Sequence, residues 1–83
     1  MARRDRTLAA MEANPSGWRY DEVASVLRGF GFTERTGKGS HRSFSHTKGG
    51  TVVLVEKGHG TLRPYHVQES TRAIRKSMEG DDA

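Results

Sequence analysis

The chain has no cysteine, and that one absence removes disulfide staples, thiolate nucleophiles and thiolate zinc ligands together. Long apolar runs are missing as well. Nothing approaches the roughly 20 consecutive apolar residues of a membrane span, and the opening "MARRDRTLAAMEANP" has too short an apolar stretch for a secretory signal. The chain therefore reads as cytoplasmic. Bulk is also lacking: 83 residues supply one small domain with a thin core and no separate substrate domain, so any reactive site lies on the surface. Acidic residues are outnumbered, 10 against 14 Lys and Arg, for a net charge of +4. Three of them sit in the closing "MEGDDA", which leaves residues 1–77 more basic than the total suggests. Partners bearing negative charge are favoured, nucleic acid ahead of an acidic protein.

What is present divides into helix, helix, three strands and helix. In "RRDRTLAAMEA" Leu8 and Met11 give a short helix one weakly apolar side, and Asn14-Pro15 ends it. "WRYDEVASVLRGFGF" places Tyr20, Val23, Ala24, Leu27 and Phe30 on one helical face, with Gly31 as the left-handed stop. "FTERT", "HRSFSHT" and "TVVLV" read as strands, and the glycine turns "GKGS" and "KGG" between them imply an antiparallel meander. After the irregular "EKGHGTLRPY", the run "HVQESTRAIRKSM" sets Val67, Thr71, Ile74 and Met78 on one face of a last helix. Such a sheet buries one face under helices and leaves the other wet: an α+β, two-layer fold with a three-stranded antiparallel sheet.

Alternation then places one histidine. In "HRSFSH" the large apolar residue is Phe44, which should face the helices, so His41, Ser43 and Ser45 face outward. His41 thus starts a strand on a polar face beside a glycine turn, where backbone N–H groups and the Lys38 ammonium suit a phosphate. An imidazole there can give or take a proton near neutral pH. The competing reading is an inert surface histidine, and the pattern alone leaves both open. Other constellations carry less. His41 and His46 fall on opposite faces of their strand and cannot share a metal, and His59 and His66 are separated by a loop with no fixed spacing, so no metal or other cofactor is expected. "GKGS" joins two strands and lacks the following helix of a phosphate loop. "RAIRK" reads as a solvated helix face, and Trp18, Tyr20 and Phe32 as core or lid residues, not base-stacking platforms.

From "WRYDEVASVLRGFGF" through "GKGSHRSFSH" and "TVVLV" to "GHGTLRPYHVQESTRAIRKSM", residues 18–79, the chain resembles the HicA family of toxins, ribosome-independent mRNA interferases of bacterial toxin–antitoxin pairs. The Gly-Ser-His signature Gly39, Ser40 and His41 is the sharpest part of the likeness. The resemblance implies a double-stranded-RNA-binding-domain-like α-β-β-β-α fold with residues 1–15 as an N-terminal helical extension, the whole of 1–83 forming one domain. It implies that His41 is catalytic and that the family's later histidine corresponds to His59. The chain departs from many members by having "EKGHG" where they have a proline before that histidine. The reaction implied needs no metal, because RNA carries its own 2'-hydroxyl nucleophile and one proton-transfer group with cations on the phosphate suffices. Lys38 and Arg42 are then expected as phosphate contacts, and Gly39 and Ser40 as the turn that presents them. A HicB-like antitoxin is the implied protein partner, with acidic groups facing Lys38, Arg35 and Arg42 and Trp18 or Phe32 as an anchor if exposed. The alternative is a non-catalytic RNA-binding module of the same fold.

Overall fold

The computed structural model describes residues 2–56 and 60–79. Its elements are α1 (Arg3–Ala13), α2 (Tyr20–Gly29), β1 (Thr33–Thr36), β2 (His41–His46), β3 (Gly50–Val55) and α3 (Pro64–Glu79). The three strands form one antiparallel sheet in the order β1-β2-β3, with Glu34 opposite Phe44 and Phe44 opposite Val52. After the leading helix the order α, β, β, β, α is that of a double-stranded-RNA-binding domain, as expected, and the architecture is α+β in two layers. Among the described residues no helix is long and apolar enough to cross a membrane.

Local chemistry sets the boundaries. The N–H of Arg19 donates to the Glu22 carboxylate at 2.9 Å, closing half of a capping box at the start of α2. Gly31, at φ +91°, terminates that helix, and the following Phe32 N–H returns to the Leu27 carbonyl at 3.0 Å. Phe30 therefore falls at the helix cap and packs only partly buried against the core; the Arg4 guanidinium lies 4.6 Å over its ring. The last helix begins two residues earlier than its apolar spacing indicates, because Pro64 needs no N–H partner in a first turn.

One face of the sheet meets the helices. Phe44, Val52 and Leu54 pack there with Val23, Leu27, Val67 and Ile74 into a single core. Leu8 and Met11 join it and are only 1% and 0% exposed, so the weakly apolar side of α1 is fully used. A two-pronged ion pair, Arg75 to Glu12 at 2.7 and 2.8 Å, holds α1 to α3, and being half exposed it contributes at most about 1 kcal/mol. The buried hydroxyls of Ser70 and Ser77 donate to the carbonyls of His66 and Ile74 within their own helix, so burying them costs little.

A polar tie fastens β1, an edge strand of four residues, to α2. The Tyr20 hydroxyl donates to Glu34 Oε2 at 2.7 Å while Arg28 donates to Oε1 at 2.6 Å. Burial, then the Glu34 hydrogen bond, pushes the Tyr20 phenol up to about 12. The same hydrogen bond, with Arg28 beside it, holds the Glu34 carboxyl below its ordinary value against the opposing effect of burial. A raised phenol contributes stability that is whole below its unfolded value near 10 and lost as pH climbs toward 12. A depressed carboxyl contributes stability that is present above its ordinary 4.5 and lost as pH falls below it, and Glu12, lowered by Arg75, behaves likewise. The melting temperature should therefore hold between about pH 5 and 10 and fall on both sides. Tyr20→Phe should remove most of the alkaline fall and only Glu34's share of the acid one; an unchanged alkaline limb in that variant would show that the tie does not hold in solution.

Candidate active site

Between β1 and β2 the chain turns through Gly37, Lys38, Gly39 and Ser40, all exposed. The turn is tightly held. Gly37 N–H donates to the His41 carbonyl at 2.7 Å, extending the β1–β2 ladder by one pair, and Glu56 N–H donates to the Ser40 carbonyl at 2.7 Å. Gly39 sits at φ +62°, a backbone region that a residue with a Cβ occupies only with strain. Gly37 is a close approach of a different kind: a Cβ there would stand 3.1 Å from the His41 carbonyl oxygen and 3.4 Å from its Cβ, crowding the base of the imidazole.

His41 is exposed on the sheet face that carries no helix, as alternation predicts, opposite Val55 and in line with Ser43 and Ser45. The Lys38 carbonyl oxygen accepts two hydrogen bonds from it, from the backbone N–H at 3.2 Å and from ring Nδ1 at 3.1 Å. Because a carbonyl can only accept, Nδ1 carries the proton, and in the neutral ring Nε2 keeps its lone pair. The turn thus fixes both the orientation and the tautomer of a single imidazole, leaving its basic nitrogen away from that anchor.

The other expected site residues fall into different positions. Lys38 is exposed within the turn, and Gly39 and Ser40 form its apex. Arg42 lies on the opposite side of the strand from His41. Its Nη1 donates to the carbonyls of Gly39 and His41 at 3.3 and 3.2 Å and its Nη2 to Glu56 at 2.8 Å, so the guanidinium braces the turn from behind. Glu56, which the sequence reading did not single out, anchors that brace. His59 lies outside the described residues. Phe32 is 4% exposed and packed in the core, which removes it as an anchor for a partner, and Trp18 is half-buried with its indole N–H on the Asn14 carbonyl at 2.7 Å.

The remaining histidines play other parts. His46 Nδ1 accepts from the N–H groups of Lys48 and Gly49 at 3.0 and 3.3 Å, organising the β2–β3 turn, and its ring rests on Phe32. His66 stacks against Tyr65 and lines a cavity of about 180 Å³ with Tyr20, Val55 and Arg63. Among the described residues no three His, Asp or Glu side chains are grouped to hold a metal.

No match was found among curated proteins or among solved structures. A family model, that of the HicA toxin of bacterial toxin–antitoxin systems, matches residues 20–74. That stretch opens on the first residue of α2 and runs into α3, so it contains every described element that positions His41. The chain belongs to the HicA toxin family.

Proposed function

We propose that this toxin is an mRNA endoribonuclease, working without the ribosome and without metal, in which His41 transfers the proton. The observation that carries the reading is the imidazole itself, exposed on an open face, held by Nδ1–H on the Lys38 carbonyl and set beside a lysine in a glycine turn. Nε2 takes the proton of the 2'-hydroxyl as that oxygen attacks the adjacent phosphorus. The bond to the 5'-oxygen breaks, that oxygen leaves with a proton from solvent, and a 2',3'-cyclic phosphate remains. The Lys38 ammonium offsets charge gathering on the phosphate, with the turn amides of Gly39 and Ser40 close by. Arg42 serves the same phosphate indirectly, by keeping the turn in shape. His59, which follows β3 in the sequence, is a second RNA contact by likeness to the family. DNA, lacking the 2'-hydroxyl, is spared.

The reading includes residues 1–83 acting as one domain in the cytoplasm, with 18–79 as the toxin core and 1–15 as an extension. Membership of a toxin–antitoxin family implies an antitoxin partner. We take it to be a HicB-like protein that covers the face around His41 and sets acidic groups against Lys38 and Arg35, both exposed there.

The decisive experiment incubates purified chain with RNA in excess. Cleavage should show turnover at substoichiometric protein, survive EDTA and leave 2',3'-cyclic phosphate ends. Loss of cleavage on chelation, restored by added metal, would overturn the mechanism; a mobility shift with no cleavage would leave a binding module.

A further inference from the structure

Beyond the turn, the open face of the sheet has a composition of its own. Pairing and alternation put Thr33, Ser45 and Thr51 in one row across the strands, Arg35, Ser43 and Val53 in the next, and Gly37, His41 and Val55 in the third. Successive rows lie about 6.7 Å apart, the rise of two strand residues. That is the scale of the step from one phosphate to the next in an extended nucleic-acid strand. An open trough of about 630 Å³ runs along this face from Ser43 and Arg35 past Thr33 and Ser45 to Gly31, His46 and Thr47. Its lining is mostly hydroxyls and one guanidinium, with no Phe, Tyr or Trp.

Arg35 is the cation in it. It is exposed on β1, and among the described residues its guanidinium shows no hydrogen bond or ion pair, whereas those of Arg28, Arg42 and Arg75 are all paired with carboxylates. Since Gly37 lies opposite His41, Arg35 is the diagonal neighbour of His41 on the same face, about 7–8 Å away backbone to backbone and within reach of a long side chain.

We infer that a single strand of RNA lies along this trough, with Arg35 gripping the phosphate one step from the one whose cleavage His41 assists. The inference rests on the proposed function and adds to it the substrate track and its chief contact. Hydroxyls and a guanidinium address the sugar-phosphate backbone, and a trough whose one ring is the His46 imidazole, itself packed on Phe32, offers little base-stacking platform. The strand is thus held by its backbone, and the trough itself reads little sequence. A duplex does not fit the account, because the track follows one backbone along the strands.

The test measures steady-state cleavage of a short single-stranded RNA, and direct binding of that RNA to the chain carrying His41→Ala, across a salt series. Arg35→Gln should raise KM about tenfold, the loss of one charged hydrogen-bonding contact, with kcat within about twofold of the parent. The binding slope against log salt should shrink by about 0.7, one phosphate's share. Arg35→Lys should recover most of the salt slope and part of the KM. Ser45→Asp, placing a negative charge farther along the trough, should weaken binding in the same direction. Unchanged KM and salt slope in Arg35→Gln would overturn the track while leaving RNA cleavage by His41 intact. Weakened antitoxin binding with unaltered RNA kinetics would give the face to the protein partner instead, and also overturns it. Absence of any RNA cleavage or binding by the parent chain would bring down the proposed function and the track together.

Discussion

His41→Ala should lower RNA cleavage by about 10² to 10⁴, the contribution of one positioned proton-transfer group, and should abolish growth arrest on expression. The fold should be untouched. The ring is exposed and its one recorded hydrogen bond is to a surface carbonyl, so the stability change should stay within about 0.5 kcal/mol. The pairing of a large activity loss with an unshifted melting curve is the signature sought, since an inert surface histidine would give the unshifted curve without the activity loss and a structural one would shift both. His41→Gln sharpens the comparison: its amide can keep a hydrogen bond to the Lys38 carbonyl but has no nitrogen that takes a proton near neutral pH. Full cleavage by either variant, with native circular dichroism, would remove His41 from the mechanism.

Gly49→Ala should do the reverse and damage the fold through a single methyl group. Gly49 is buried in the β2–β3 turn, where α3 passes directly over it. A Cβ there would stand 2.7 Å from the Ala73 carbonyl oxygen, 2.7 Å from the Phe32 ring and 3.1 Å from the Ser77 Cβ. The first of these is helix backbone and cannot rotate aside, so α3 has to lift from the sheet. Overpacking of this kind costs about 1–3 kcal/mol, which in a domain of this size lowers the melting temperature by about 4–8 °C per kcal/mol. A melting temperature equal to the parent's would show that the helix rides higher over the turn than described.

These two residues also mark what a sequence discloses and what it does not. His41 was legible because a sheet with one covered face imposes a strict period of two, and a lone Phe44 fixes the phase of the strand. The order of elements was legible for a similar reason: glycine turns and helical apolar faces are local signals, and Gly31 ends α2 as its position suggests. Gly49 was not, since the same letter serves open turns and close approaches, and only the path of α3 tells them apart. Spacing put Phe30 with the apolar face, and it does pack partly buried against the core, but as the cap of a helix that stops one residue before it. The brace of Arg42 on Gly39, His41 and Glu56 depends on how far a long side chain reaches beneath a turn, and the Tyr20–Glu34–Arg28 tie joins residues whose partnership exists only once α2 lies against β1. Arg35 became informative only when the register made it the diagonal neighbour of His41.

The docking of α1 carries a consequence for how such a chain changes over generations. The match to the family begins at Tyr20, yet Leu8 and Met11, well before it, are among the most deeply enclosed side chains in the molecule. Once a helix shields part of a core, residues beneath it are released from the demand to be compatible with water, and substitutions toward greasier side chains become harmless there. Each such substitution makes a later deletion of the helix more damaging, because the uncovered patch would be sticky and the shortened chain prone to clump. A helix that covers a core in this way is kept by the need for solubility alone, with no catalytic duty required.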